Sequence, residues 1–169
     1  MPKEADSSGG LSIDVRVEAG DWPSKAKLKA LAARSLAAAV ARAKPKLGAE
    51  PELSLLFTDD AHVRVLNRQY RRKDKATNVL SFPAPKAAKT KAFGPQLGDI
   101  VFAAGTIARE AKDEGITRDD HLAHLIVHGF LHLLGHDHEE DDEAAVMEKL
   151  ETAILARLGI ADPYGGADA

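Results

Sequence analysis

Six of the chain's seven histidines fall between positions 121 and 138, and three have a spacing suited to chemistry. His128 and His132 are four residues apart in an apolar run, Leu122 to Leu134, with no Gly or Pro before Gly129. Such a run reads as a helix, which projects both imidazoles from one face about one turn apart. Gly135 ends that helix, because glycine takes the left-handed cap conformation at little cost. The chain then turns back and brings His138 towards the first two. Three neutral imidazoles converging on one point make a transition-metal site, with zinc the first choice and one ion per chain. Three protein ligands leave a coordination position for water or substrate, the arrangement of a catalytic centre rather than a structural one.

The spacing also matches the metzincin protease pattern, His-Glu-x-x-His-x-x-Gly-x-x-His, at every position but one. Gly129 stands where those proteases carry the Glu that serves as general base, which argues against peptide hydrolysis by that route.

These histidines need a framework. Leu11 to Val17 alternates apolar and polar residues and predicts a strand; Glu52–Phe57, Asn78–Phe82 and Leu97–Ala103 predict three more. Leu28–Ala43 reads as an Ala-rich helix, with Ser24 a candidate N-cap upstream and Pro45 and Gly48 beyond its end. Thr58 is read as the cap of a helix running to about Gln69, with Asp59 and Asp60 in its first turn and Val63, Leu66 and Tyr70 inward. Thr106–Glu114 is a further helix. Thr117 caps the metal-bearing one, with Asp120 in a capping-box position. Asp141–Leu158 is the last, with Met147, Leu150, Ile154 and Leu158 at helical spacing. Four strands and about five helices predict a single α/β or α+β domain over 11–160. Residues 1–10 and 161–169 read as loose tails and 84–96 as an exposed loop.

A chain of 169 residues, 44% hydrophobic and 29% charged, suits one globular domain. With no cysteine there is neither a disulfide framework nor a thiolate metal site. The N-terminus lacks an apolar signal core, and no run is long enough to span a membrane, so a cytoplasmic protein is expected. The net charge of −3 gives no bulk attraction to nucleic acid. Its distribution says more. Arg64, Arg68, Arg71, Arg72, Lys73, Lys75, Lys86, Lys89 and Lys91 face a single acid, Asp74, across one stretch. Asp137 to Glu151 carries eight acids against Lys149 alone. The first block is a candidate phosphate footprint; the second reads as a solvated helix start.

Three blocks together resemble the YbeY-type endoribonucleases, a family of rRNA maturation factors. They are Leu66-Asn67-Arg68-Gln69-Tyr70-Arg71-Arg72-Lys73-Asp74 running into Thr77-Asn78-Val79-Leu80-Ser81-Phe82-Pro83; Leu97-Gly98-Asp99-Ile100-Val101; and His124 with His128 to His138 and the acids that follow. Position 76 is Ala where members often have Pro, which bears on a turn and not on chemistry. The resemblance implies a four-stranded mixed sheet with helices and one zinc held by His128, His132 and His138. It implies a bacterial cytoplasmic enzyme that cuts single-stranded RNA, matures the 3′ end of small-subunit rRNA and serves ribosome quality control. The small ribosomal subunit is then a partner, with no membrane or DNA involved.

Arg71 matches the family's functional arginine, near the metal. A fixed guanidinium there can bridge two oxygens of a phosphorane, while Arg72 and Lys73 suit flanking phosphates. His121 and His124 share the stripe of His128 and His132; each is a metal-site neighbour, an RNA contact or an ordinary packed histidine. Asp137 either orients a ligand imidazole or caps the turn. Two other readings stay open: a metalloprotease-like zinc hydrolase that takes its carboxylate from elsewhere, and a non-enzymatic ribosome-assembly factor with structural zinc.

Overall fold

The alternating stretch near the N-terminus becomes strand β1 (Ser12–Val17), with Val15 buried and Asp14 and Arg16 exposed. In the computed structural model, which describes residues 10–48, 50–84, 96–136 and 140–164, β1 pairs in parallel with β2 (Glu52–Thr58). β2 pairs in parallel with β4 (Gln96–Ala103), and β4 antiparallel with β3 (Val79–Pro83), giving the order β1-β2-β4-β3. Parallel neighbours need a long crossover. Helix α1 (Lys25–Ala43) supplies it between β1 and β2. Helix α2 (Asp60–Arg71) and β3 carry the chain from β2 to β4, and α3 (Ala104–Glu114), α4 (Arg118–Leu133) and α5 (Asp141–Arg157) follow. This is the single α/β domain with a four-stranded mixed sheet and five helices expected from sequence.

The two sheet faces are covered unequally. One packs Val15, Leu53, Leu55, Phe57, Ile100 and Phe102 against α1, α4 and α5 in one apolar cluster. The other carries a smaller cluster in which Val63 of α2 meets Leu80, Val101 and Ala103, with Leu56, Leu66 and Phe82 packed beside it. Helix α4 is the central one. Its buried residues include His121, Leu122, Leu125, Ile126, Phe130 and Leu133, so they are spread round the helix rather than confined to one stripe. That distribution fixes its rotation about its own axis and so aims its histidines.

Several boundaries differ from the sequence reading, each for a local reason. α1 begins at Lys25, because Ser24 caps it by accepting from Lys27 N–H at 3.2 Å. The cap of α2 is Asp59, which accepts from His62 N–H at 2.9 Å. Thr58 instead ends β2, fully buried, and donates to Glu18. Tyr70, expected inward, is 68% exposed, with its ring standing edge-on to Phe82 of β3. α3 begins two residues early, at Ala104, and its own cap residue Ala103 offers no side-chain bond. Asp60 supplies it from α2, accepting from Thr106 N–H and Oγ1 at 3.0 Å each and from Arg109 at 2.9 Å. Gly105 leaves room for that carboxylate, since a Cβ there would lie 3.0 Å from Asp60 Oδ2.

Candidate metal centre and its cleft

Helix α4 starts as the sequence suggested, with Thr117 Oγ1 accepting from Asp120 N–H at 3.1 Å. It stops at a glycine turn. Gly135, at φ +99°, donates to His132 O, and His136 N–H reaches back to Leu131 O, each at 3.0 Å. This pairing satisfies carbonyls left over at a helix end and turns the chain. Asp137 and His138, the proposed orienting carboxylate and third ligand, lie outside the described residues.

His128 and His132 converge as their four-residue spacing requires, with their Nε2 atoms 3.1 Å apart. Two nitrogens on one tetrahedral zinc, at bond lengths of about 2.0–2.1 Å, stand roughly 3.3 Å apart, so the pair fits a shared ion with little movement. The other nitrogen of His128, Nδ1, meets Glu151 Oε2 at 3.2 Å, and His124 Nε2 meets the same oxygen at 2.7 Å. Glu151 comes from α5 and its side chain is only 1% exposed. Burial alone would raise its pKa, but hydrogen bonds from His124 and His128 outweigh that and hold it at about 2. A carboxylate at Nδ1 fixes the tautomer that leaves the Nε2 lone pair for a metal. Tyr164 adds to the network, its hydroxyl donating to both Glu151 oxygens at 3.1 and 3.2 Å. Burial, then the charge of Glu151, pushes that phenol up.

His124, His128 and Glu151 offer ligand atoms within 4.8 Å of one another and could themselves hold a metal ion. This donor set and the His128–His132 pair share His128. Sequence reasoning missed Glu151, which it counted among the solvated acids. The available signal was its place between Met147 and Ile154, four residues after one and three before the other, on the buried stripe of α5. His121 is separate. It is buried, and its Nε2 meets Glu110 Oε1 at 2.8 Å.

Gly129 turns its missing side chain towards the sheet. A Cβ there would lie 2.9 Å from Ile100 Cγ2 and 3.2 Å from Ser81 Oγ, so no glutamate fits without parting α4 from β3 and β4. Ser81 couples the two walls of the site. Its hydroxyl donates to Gly129 O at 3.3 Å, and its carbonyl accepts from an Arg71 guanidinium nitrogen at 2.7 Å. Arg71 also lies over the Phe82 ring, 5.7 Å from its centroid.

Arg71, Lys73 and Lys75 line a cleft of about 460 Å³ that His128 and His132 also line. Two imidazoles and three cations thus line one space open to solvent. Arg72 is not among the residues lining this cleft; it is the left-handed cap of α2, at φ 57°. Arg64 is engaged by Asp74 through two bonds of 2.8 and 3.2 Å. Lys86, Lys89 and Lys91 lie outside the described residues. Among the described residues, no helix is long and apolar enough to cross a membrane.

Comparison with known proteins agrees with this picture. A family described as Endoribonuclease YbeY matches residues 14–159. Curated relatives named Endoribonuclease YbeY include one from Rhizobium meliloti, 54% identical over 92% of this chain and 95% of its own length. Another, from Sinorhizobium fredii, is 52% identical over 92% of each chain. A Thermotoga maritima protein of known solution structure aligns with 90% of this chain and 98% of its own, at TM-score 0.55 and 21% identity, and so shares the fold. With the match running from the first strand to the end of the last helix, the chain belongs to the YbeY endoribonuclease family.

Proposed function

We propose that this chain is a metal-dependent endoribonuclease that cuts single-stranded RNA, with one zinc held by His128, His132 and His138. The observation that carries the reading is the 3.1 Å approach of two imidazole Nε2 atoms in a cleft that Arg71, Lys73 and Lys75 also line. A zinc ion held there supplies a Lewis acid for a phosphoryl oxygen or for the attacking oxygen. The protein's own groups do the rest. Glu151 holds His128 in the tautomer that faces the cleft. Arg71, braced on Ser81 O, meets the charge that grows on the phosphoryl oxygens in the transition state. Lys73, with Arg72 beyond the cleft, holds flanking phosphates and positions the strand without reading its sequence.

The bacterial relatives named as endoribonucleases support RNA as the substrate. The motif resemblance further supports precursor small-subunit rRNA, cut in maturing its 3′ end as part of ribosome quality control. The small ribosomal subunit is then the partner and the cytoplasm the compartment. The test incubates zinc-loaded protein, chelated protein and His132→Ala with single-stranded and structured RNA, and maps the product ends. Internal cuts in the single-stranded substrate should depend on metal and on His132. Cleavage that survives both chelation and the substitution would overturn the proposal.

A further inference from the structure

Helix α2 ends in an aromatic–basic cluster of which Arg71 lines the metal cleft and Tyr70 and Phe82 do not. Tyr70 is 68% exposed and stands edge-on to Phe82, with ring centroids 5.5 Å apart and planes at 70°. Arg71, a wall of the metal cleft, lies over the same Phe82 ring. Phe82 itself lines a second hollow of about 400 Å³ on the thinly covered sheet face, where Tyr70, Leu66 and Val101 contribute further apolar walls. Resting on the reading of this chain as a single-strand ribonuclease, we propose that this hollow is a nucleobase subsite. There Tyr70, backed by Phe82, stacks an unpaired base of the strand whose neighbouring phosphate is held at Arg71.

Three features choose a base over other occupants. Aromatic rings beside arginines are how sequence-tolerant single-strand binders hold RNA, since every base has a π-face while the guanidinium takes the backbone. The charged lining of the hollow is mixed: Asp14 and Asp99, in the sheet row that continues through Ser54 to Phe82, stand with Arg16, so its charges sum to −1 and favour an uncharged base over a phosphate. The hollow also neighbours the proposed reaction site, since Arg71 of the cleft lies over the Phe82 ring that lines the hollow, so a base bound in it belongs to a nucleotide flanking the cleavage point. A paired strand cannot offer such a base, which gives a physical reason for acting on single strands.

The test compares two nuclease-resistant phosphorothioate strands of equal length and charge, one of adenosines and one fully abasic, binding to zinc-loaded protein. Wild type should prefer the base-bearing strand. Tyr70→Ala should weaken that strand about tenfold, near the lower part of what one base–aromatic stack contributes, and leave the abasic strand unchanged. Tyr70→Trp should restore the preference. Because Tyr70 is exposed, these variants should melt with wild type. Equal weakening of both strands, or no weakening of either by Tyr70→Ala, overturns the subsite; the second outcome would hand this face to a protein partner. Failure of wild type to bind either strand overturns the nuclease reading together with it.

Discussion

At the scale of single residues, the proposed site divides labour between groups that would hold a metal and groups that would meet the substrate, and the two can be separated by experiment. Arg71 touches neither histidine; its guanidinium is fixed by Ser81 O and the Phe82 ring. If it acts on charge present only in the transition state, Arg71→Ala should slow single-turnover cleavage about a hundredfold, by analogy with the loss of one oxyanion donor. RNA binding should fall far less, and zinc content should not change. Arg71→Lys should recover only part of the rate, since an ammonium cannot form the two-pronged contact. Equal losses in affinity and efficiency, with the bound-state rate intact, would reduce Arg71 to a phosphate anchor. Glu151 works from the other side. Glu151→Gln removes the charge that orients His128 while keeping the shape, so zinc affinity measured by chelator competition should fall about 10–100-fold. Unchanged affinity would mean that packing of α4 alone aims the ring. Of these groups the histidine pair was legible in the sequence, because an i,i+4 spacing has one geometric outcome on a helix. Glu151 was not, because its role exists only once α5 lies against α4.

At the scale of elements, helix ends decide what the sites see, and neighbouring residues compete for the same role. Thr58 and Asp59 are both good caps. The strand took Thr58, whose Oγ1 bonds Glu18, and left Asp59 to the helix. The spacing Val63, Leu66, Tyr70 marks a true stripe, yet its cover thins along the helix, from Val63, fully buried, to Tyr70, which meets Phe82 edge-on and stays 68% exposed. Asp60 shows an element completed from outside. Burial raises its pKa, but Thr106 N–H, then Arg109 and the Thr106 hydroxyl, lower it further, so the net shift is downward. A carboxyl whose folded value lies below its unfolded value contributes stability above the unfolded pKa of about 4, and that contribution is lost as pH falls through the folded value. Asp60→Ala should therefore cost about 1 kcal/mol in urea unfolding at neutral pH, the usual loss for a cap. The difference from wild type should shrink in acid. A deficit that stayed constant with pH would assign the effect to packing rather than to the charge.

At the scale of the whole molecule, the protein carries a formal net charge of −3 and yet is proposed to hold a polyanion. Only distribution can reconcile these. Asp141, Asp142 and Glu143 sit in the first turn of α5, while Arg71, Lys73 and Lys75 gather at the cleft. Attraction is then short-ranged, set by the few cations within reach of the backbone and screened beyond about 10 Å at ordinary ionic strength. RNA affinity should fall with added salt, and each phosphate contact on a single strand contributes roughly 0.7 to the logarithmic slope. Replacing Arg72 and Lys73 together by Ala should flatten that slope by no more than roughly 1.4, twice the single contact. The two should not contribute equally. Lys73 lines the cleft and Arg72 does not, so Lys73→Ala should account for most of the change and Arg72→Ala for little. Binding titrations of the two single variants across a salt series decide between a footprint confined to the cleft and one that wraps past the end of α2. An affinity indifferent to salt in wild type would mean that the basic block is a solvated face and that stacking and metal contacts carry the complex.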